Sequence, residues 1–251
     1  MSNPVSIEIC VDSLASALAA EQGGAQRVEL CAGLSEGGVT PSAGLIESVR
    51  AKIRIGLHVM IRPRGGDFRY SAGEFDTMRR DIRFAKQVGA NGVVFGILTS
   101  AGEVDVKRTR ELVELARPLN VTFHRAFDVS SDLFKALEDV CQTGADRILT
   151  SGGAQTACEA IPTIAALVQA AKGRISIMAC GGIRAHNAAG IIEQTGVREI
   201  HSGVRRPVAE PTSHNTQSAM GTVLGTKDGR FEVFADDIKL LCRAIFSEKG
   251  C

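Results

Sequence analysis

The chain has almost no net charge: 29 basic residues stand against 28 acidic ones among 251, leaving +1. That balance has no polyelectrolyte character and argues against nucleic acid or an anionic membrane surface as partner. No apolar run approaches the ~18 residues of a membrane span, and no basic segment followed by an apolar stretch stands near the first residue. Close C-x-x-C pairs are also missing. The seven cysteines (Cys10, Cys31, Cys141, Cys158, Cys180, Cys242 and Cys251) are odd in number and scattered, which reads as free thiols in a reducing, cytoplasmic compartment. No composition break marks a second domain, so residues 1–251 are expected to form one domain, with 44% hydrophobic residues to supply its core.

What is present is a repeat. Four times a helix-ending glycine is followed by a small residue and a strand: Gly24-Ala25-Gln26-Arg27-Val28-Glu29-Leu30, Gly89-Ala90-Asn91-Gly92-Val93-Val94-Phe95, Gly144-Ala145-Asp146-Arg147-Ile148-Leu149-Thr150 and Gly196-Val197-Arg198-Glu199-Ile200-His201-Ser202. The cap glycines are 65, 55 and 52 residues apart, each interval holding two β-α units. Eight strands are expected, near 6–12, 27–32, 55–62, 92–98, 120–126, 146–151, 175–180 and 198–203, with helices of apolar periodicity between them. Strands alternating with helices imply parallel pairing and right-handed crossovers, and the length suits a (β/α)8 TIM barrel, with an open doubly wound sheet as the rival. Gly203 to Asp228 exceeds ordinary loop length and is expected to be a lid, an oligomer contact or a mobile stretch. A short strand over 229–234 and a last helix over 236–246 follow it.

The first two strands carry the same tetrad, Ile7-Glu8-Ile9-Cys10 and Val28-Glu29-Leu30-Cys31. Side chains two apart share a face of a strand, so the branched apolar residues face one way and the acids and thiols the other. If the apolar face meets the helices, the interior receives Glu8, Cys10, Asp12, Glu29, Cys31, His58, Met60, Arg62, Thr122, His124, Cys180, Glu199 and His201. Barrel interiors are ordinarily filled with Val, Ile and Leu, so acids, imidazoles and an arginine there point to a working site. The plainer alternative is a self-compensating network in which Arg62 neutralises Glu8 or Glu29 and backbone carbonyls satisfy the histidines.

The loops at the strand C-termini add candidates. Arg62-Pro63-Arg64-Gly65-Gly66-Asp67 offers two guanidiniums and a glycine pair as an anion grip. His124-Arg125-Ala126-Phe127-Asp128 offers an acid or base beside a fixed positive charge. Ser151-Gly152-Gly153, Gly181-Gly182 and His201-Ser202-Gly203 are glycine-rich turns of the kind that receive phosphate in many barrels. Cys10 and Cys31 fall on neighbouring strands whose backbones sit ~4.8 Å apart. Two thiolates there suit a soft ion such as Cu(I) better than zinc, whose structural sites take four ligands; otherwise the pair packs as small hydrophobes.

The chain resembles the CutC family of copper homeostasis proteins. The resemblance rests on Glu8 to Asp12, Val28 to Cys31 followed by Gly33-Leu34-Ser35-Glu36-Gly37-Gly38 and Thr40-Pro41-Ser42, Met60 to Asp67, Thr122 to Asp128, Leu149 to Gly152 and Ser218-Ala219-Met220-Gly221. At Met178-Ala179-Cys180-Gly181-Gly182-Ile183 the chain departs from the Pro-Gly-Gly-Gly-Ile common in that family. The resemblance implies a (β/α)8 barrel, a cytoplasmic homo-oligomer (dimer or tetramer), a role in copper homeostasis, and Cys10 and Cys31 as Cu(I) ligands. On the residues alone, the polar rim argues more strongly for the alternative, a barrel enzyme (a lyase, isomerase or hydrolase) acting on a small anionic or phosphorylated metabolite. In that reading Glu8, Glu29, His124 and Arg62 do the chemistry, and Arg64, Asp67, Arg125, Ser151, Gly152, Gly181, Gly182 and His201 bind the ligand.

Overall fold

The computed structural model describes residues 5–208 and 230–246. Strands β1 (Ser6–Val11), β2 (Arg27–Leu30), β3 (Gly56–Met60), β4 (Gly92–Phe95), β5 (Asn120–Phe123), β6 (Arg147–Thr150), β7 (Ser176–Ala179) and β8 (Glu199–Ser202) close in sequence order into a parallel barrel. Helices α1 (Leu14–Gly23), α2 (Ala43–Lys52), α3 (Ala72–Gln87), α4 (Val106–Ala116), α5 (Leu133–Thr143), α6 (Ile161–Ala171), α7 (Ala188–Thr195) and α8 (Ala235–Phe246) follow the strands in turn. The fold is the expected (β/α)8 barrel. The strands stop one to three residues earlier than the sequence reading has them. β1 ends at Val11, and Asp12, expected inside, lies in the turn that leads to the N-cap of α1.

Local chemistry sets the helix boundaries. Ser13, Ser42, Ser71, Asp105 and Asp132 each accept a backbone N–H of the helix they precede, and Ser71 completes a reciprocal capping box with Glu74. Gly24, Gly144 and Gly196 cap α1, α5 and α7 in the left-handed conformation. Between helices and sheet, Ile7, Ile9, Val28, Leu30, Val59, Val93, Val121, Ile148 and Ile200 are fully buried, so the branched apolar strand faces do meet the helices.

After β8 the chain forms β9 (Arg205–Val208), which pairs antiparallel with β10 (Arg230–Val233). The short strand expected over 229–234 is β10. The stretch expected to be irregular from Gly203 therefore begins with a strand. The remainder of it, with Ser218 to Gly221 and the terminal Cys251, lies outside the described residues.

The parallel register sorts the inward side chains into layers drawn from alternate strands. The position three residues after each repeat glycine forms the lowest layer on even strands: Arg27, Gly92, Arg147 and Glu199. Glu8, His58, Thr122 and Met178 on odd strands form the next, and Glu29, Val94, Leu149 and His201 the third. Cys10, Met60, His124 and Cys180 follow, at the strand C-termini.

Candidate functional site

The floor of the interior is a closed charge network. Arg27 Nε is 2.5 Å from Glu8 Oε2 and its Nη2 is 2.7 Å from Glu199 Oε2. Arg147 Nε reaches the same Glu199 oxygen at 2.7 Å, and the Ser176 hydroxyl donates to the other at 2.6 Å. Two guanidiniums thus answer two carboxylates. Burial works to raise Glu8 and Glu199, but Arg27 and His201 at Glu8, and Arg147 and Arg27 at Glu199, outweigh it and hold both acids below the usual carboxylate range. Neither Arg27 nor Arg147 was among the expected interior residues, and they do the neutralising expected of Arg62. Their signal is in the repeat itself, since both occupy the position of Glu199 relative to the cap glycine.

Above this floor the groups are tuned in opposite directions. His201 Nδ1 lies 2.7 Å from Glu8 Oε1 and its Nε2 3.8 Å from Glu29 Oε2. Burial disfavours its charge, but Glu29, Cys10 and Glu8 together raise it well above the usual imidazole range. Glu29 is pushed up to about 8, chiefly by burial, so it holds its proton at neutral pH. His58, 3.7 Å from Glu8, is lowered to about 3 by burial and stays neutral.

The two thiols meet. Cys10 Sγ is 3.9 Å from Cys31 Sγ, and Cys31 Sγ is 3.4 Å from Glu29 Oε2. The hydrogen bond with Cys31 brings Cys10 down to about 5, helped by charged His201, so Cys10 is a thiolate at neutral pH. The same bond and burial hold Cys31 well above the ordinary thiol range. The ligand atoms of Cys10, Cys31 and Glu29 all lie within 4.8 Å of one another, a spacing one metal ion can span. Glu8, Glu29 and His201 meet the same criterion, but Arg27 and the buried ion pair already engage Glu8.

The thiols open onto a cavity of about 180 Å³, also lined by Glu29, Arg62, His124 and Arg125 and by the apolar Leu34, Met60, Phe68 and Leu149. A second cavity of about 290 Å³ shares Cys10, Leu34, Arg125 and His201 and reaches Gly181, Gly182 and Arg184. His124 enters from the end of β5. Its Nδ1 accepts the Ala126 N–H at 3.2 Å, and burial with Arg62 nearby lowers it to about 3. Glycines of β4 and its C-terminal extension make room for both neutral imidazoles: a Cβ at Gly92 would lie 2.6 Å from His58 Nε2, and one at Gly96 2.7 Å from His124 Nδ1. Gly92 stands in the repeat, at the position Arg27, Arg147 and Glu199 occupy, and Gly96 belongs to no motif; sequence reasoning assigned a packing role to neither.

Other expected site residues are engaged elsewhere. Arg62 lines the cavity, but its guanidinium donates to the carbonyls of Glu36 and Gly38, both at 2.9 Å, and of Gly66 at 2.7 Å. It clamps two loops where an anion grip was expected. Arg64 and Asp67 are not brought to the cavity: they pair at 3.0 Å in an exposed turn, where Arg64 also binds Glu74 and Asp67 binds Arg69. Ser151 accepts from Arg125 Nη2 at 2.7 Å and donates to the Ala154 carbonyl at 2.6 Å. Gly152 packs so closely that a Cβ there would lie 2.7 Å from Ala160 Cβ. The organiser of this corner is Asp128, which accepts from Arg125 Nε at 2.8 Å, from the Ser151 and Gly153 N–H groups and from the Thr150 hydroxyl.

Comparison with known proteins gives a consistent result. The sequence model of the CutC family matches residues 5–206. A CutC family protein of Chromobacterium violaceum is 45% identical over 240 residues, covering 95% of this chain and 97% of the relative. The copper homeostasis protein cutC homolog of Homo sapiens is 46% identical over 228 residues, 90% of this chain and 84% of the relative. Among solved structures, CutC of Streptococcus agalactiae, assigned to copper homeostasis, superposes with a TM-score of 0.75 at 37% identity, over 78% of this chain and 97% of that one. Phosphoribosylanthranilate isomerase of Thermotoga maritima, at 14% identity and a TM-score of 0.59 over 97% and 99% of the two chains, shares the fold alone.

Proposed function

The chain belongs to the CutC family, and on that premise we propose that it is a copper homeostasis protein which takes one Cu(I) ion between Cys10 and Cys31. The observation that carries the reading is the 3.9 Å separation of the two sulfurs on adjacent strands. Thiolate–metal bonds run ~2.3 Å for zinc, so sulfurs at this distance can bracket one ion without displacing either strand. Two soft sulfurs favour Cu(I) over harder divalent ions. Met60 packs against Cys31 and Cys10 and adds a third soft sulfur to the surroundings.

The protonation states fit loading at neutral pH. Cys10 enters as a thiolate, and Cys31 gives up its proton as the ion arrives, so uptake releases about one proton per ion and strengthens as pH rises. Two thiols this close stay reduced most readily in the cytoplasm, where the reading places the protein. No described helix is long and apolar enough to cross a membrane.

The test is an anaerobic Cu(I) competition titration against a chromogenic chelator, on the native protein and the Cys10→Ser, Cys31→Ser double variant. Uptake of one Cu(I) per chain that disappears in the variant is expected. Equal uptake by the two proteins removes the site.

A further inference from the structure

The larger cavity, of about 290 Å³, has no part in the copper reading except at its inner end, where it meets Cys10 and His201. Its lining carries three guanidiniums, those of Arg125, Arg184 and Arg205, and no carboxylate. Among the described residues, Arg184 engages only the Ile183 carbonyl with its side chain, at 2.8 Å, and Arg205 only the Phe231 ring. Uncompensated positive charge around a concave, open space draws an anion.

The turn after β7 supplies the receptor. Gly181 and Gly182 follow one another at φ +90° and +69°, and neither amide N–H has a partner among the described residues. Both glycines line the cavity, Gly181 half-buried and Gly182 exposed, so a ligand can reach them. Successive free N–H groups in such a turn make a concave anion receptor. Two guanidiniums are tied to the same turn. Arg184 is folded back onto it by its bond to the Ile183 carbonyl. Arg125 reaches it through Ser151: its Nη2 lies 2.7 Å from Ser151 Oγ, and a Cβ on Gly181 would lie 3.1 Å from Ser151 Cβ. Asp128 takes Arg125 Nε, and Nη1 is left without a partner among the described residues.

Two amides and two guanidiniums at one turn call for several acceptor oxygens and more than one negative charge. A carboxylate brings two oxygens and one charge; a phosphoryl group brings three oxygens and nearly two charges. The loops after strands seven and eight are also where barrels of this architecture commonly receive phosphate. A volume of about 290 Å³ lies at the lower end of small-molecule sites, which leaves room for only a small organic part.

We propose that the turn after β7 is the phosphoryl subsite of a small phosphomonoester, held by the Gly181 and Gly182 amides with Arg184 and Arg125, its organic part filling the rest of this cavity. Gly181, Gly182, Arg184 and Arg205 line this cavity and not the thiol-bearing one, so the subsite does not rest on the copper reading.

The experiment is a thermal-shift titration of the full chain at matched ionic strength with glycerol 3-phosphate, inorganic phosphate and glycerol, alongside a 31P NMR titration of the two phosphates. At a tenfold excess over Kd, glycerol 3-phosphate is expected to raise Tm by about 3–6 °C. Inorganic phosphate is expected to bind several-fold more weakly, and glycerol to give no response. Arg184→Ala is expected to weaken glycerol 3-phosphate binding by about tenfold or more, since it removes a charge-assisted donor. If that variant does not fold, Arg184→Gln, which can still donate to the Ile183 carbonyl, takes its place. The Cys10→Ser, Cys31→Ser variant is expected to keep the phosphate response, and Arg184→Ala to keep Cu(I) uptake, so this proposal and the copper reading fail separately. No Tm or 31P response to either phosphate overturns the proposal. Equal binding of the two phosphates overturns it in favour of a free-phosphate site. An equal response to glycerol, undiminished binding in the folded Arg184 variant, or a response lost with the thiols each overturns it as well.

Discussion

Cys10 and Cys31 stand in near-identical tetrads yet end up with opposite chemistry. One is half-buried, brought down to about 5 by its partner's hydrogen bond and by charged His201; the other is buried against Glu29 and pushed up. Cys180, in the same layer as Cys10, is buried and raised as well. Since the thiolate is the reactive form, iodoacetamide at neutral pH should modify Cys10 ahead of Cys31 and Cys180. Its rate should stay nearly flat from about pH 6 to 8 and fall as pH drops through about 5, where Cys10 takes up its proton. Peptide mass spectrometry reads the site. Preferential modification of Cys180 would contradict this ordering. The tetrads announced both thiols but did not separate the two, because the difference comes from what each thiol meets: Cys31 contacts Glu29 of its own strand, while Cys10 lies beside His201 of the adjacent β8.

At the level of elements, the loops after β5 and β6 are held as one unit by Asp128, whose side chain is 4% exposed and accepts from Arg125, Ser151 and Gly153. Asp128→Ala strips these donors of their acceptor at about 2–3 kcal/mol. Tm should fall by roughly 4–12 °C for a chain of this size, and scanning calorimetry measures it. A change under a degree would show that the loops are held by other contacts. The cap glycines were legible because they obey a short-range rule of sequence. The roles of Arg62, Arg64 and Asp67 were not. An Arg-Pro-Arg-Gly-Gly-Asp string reads equally as a ligand grip or as a knot of loop hydrogen bonds, and only the positions of the Glu36, Gly38 and Gly66 carbonyls decide between them.

At the scale of the whole molecule, the barrel is stratified, with a salt-bridged floor, a tuned middle and a thiol-bearing mouth. The glycine repeat predicted eight strands and their direction of travel. It also held the floor, visible once residues three after each glycine are aligned: Arg27, Gly92, Arg147 and Glu199. Removing one partner from such a floor is costly, because the survivors remain buried and charged. Arg27→Met should therefore destabilise the barrel by about 3–5 kcal/mol, and adding Glu8→Gln should recover part of that loss. Chemical denaturation of the two variants reads both numbers. Equal stability of Arg27→Met and the native chain would show that Glu8 is not held by Arg27.

The separation of floor and mouth leaves the sulfur pair as the soft-metal position of the fold. The most direct measurement is X-ray absorption at the copper edge of the protein loaded anaerobically with one Cu(I) per chain. A first shell of two sulfurs, lost in the Cys10→Ser, Cys31→Ser variant, is the predicted result; a shell of nitrogen or oxygen alone, or one unchanged by the double substitution, would contradict it.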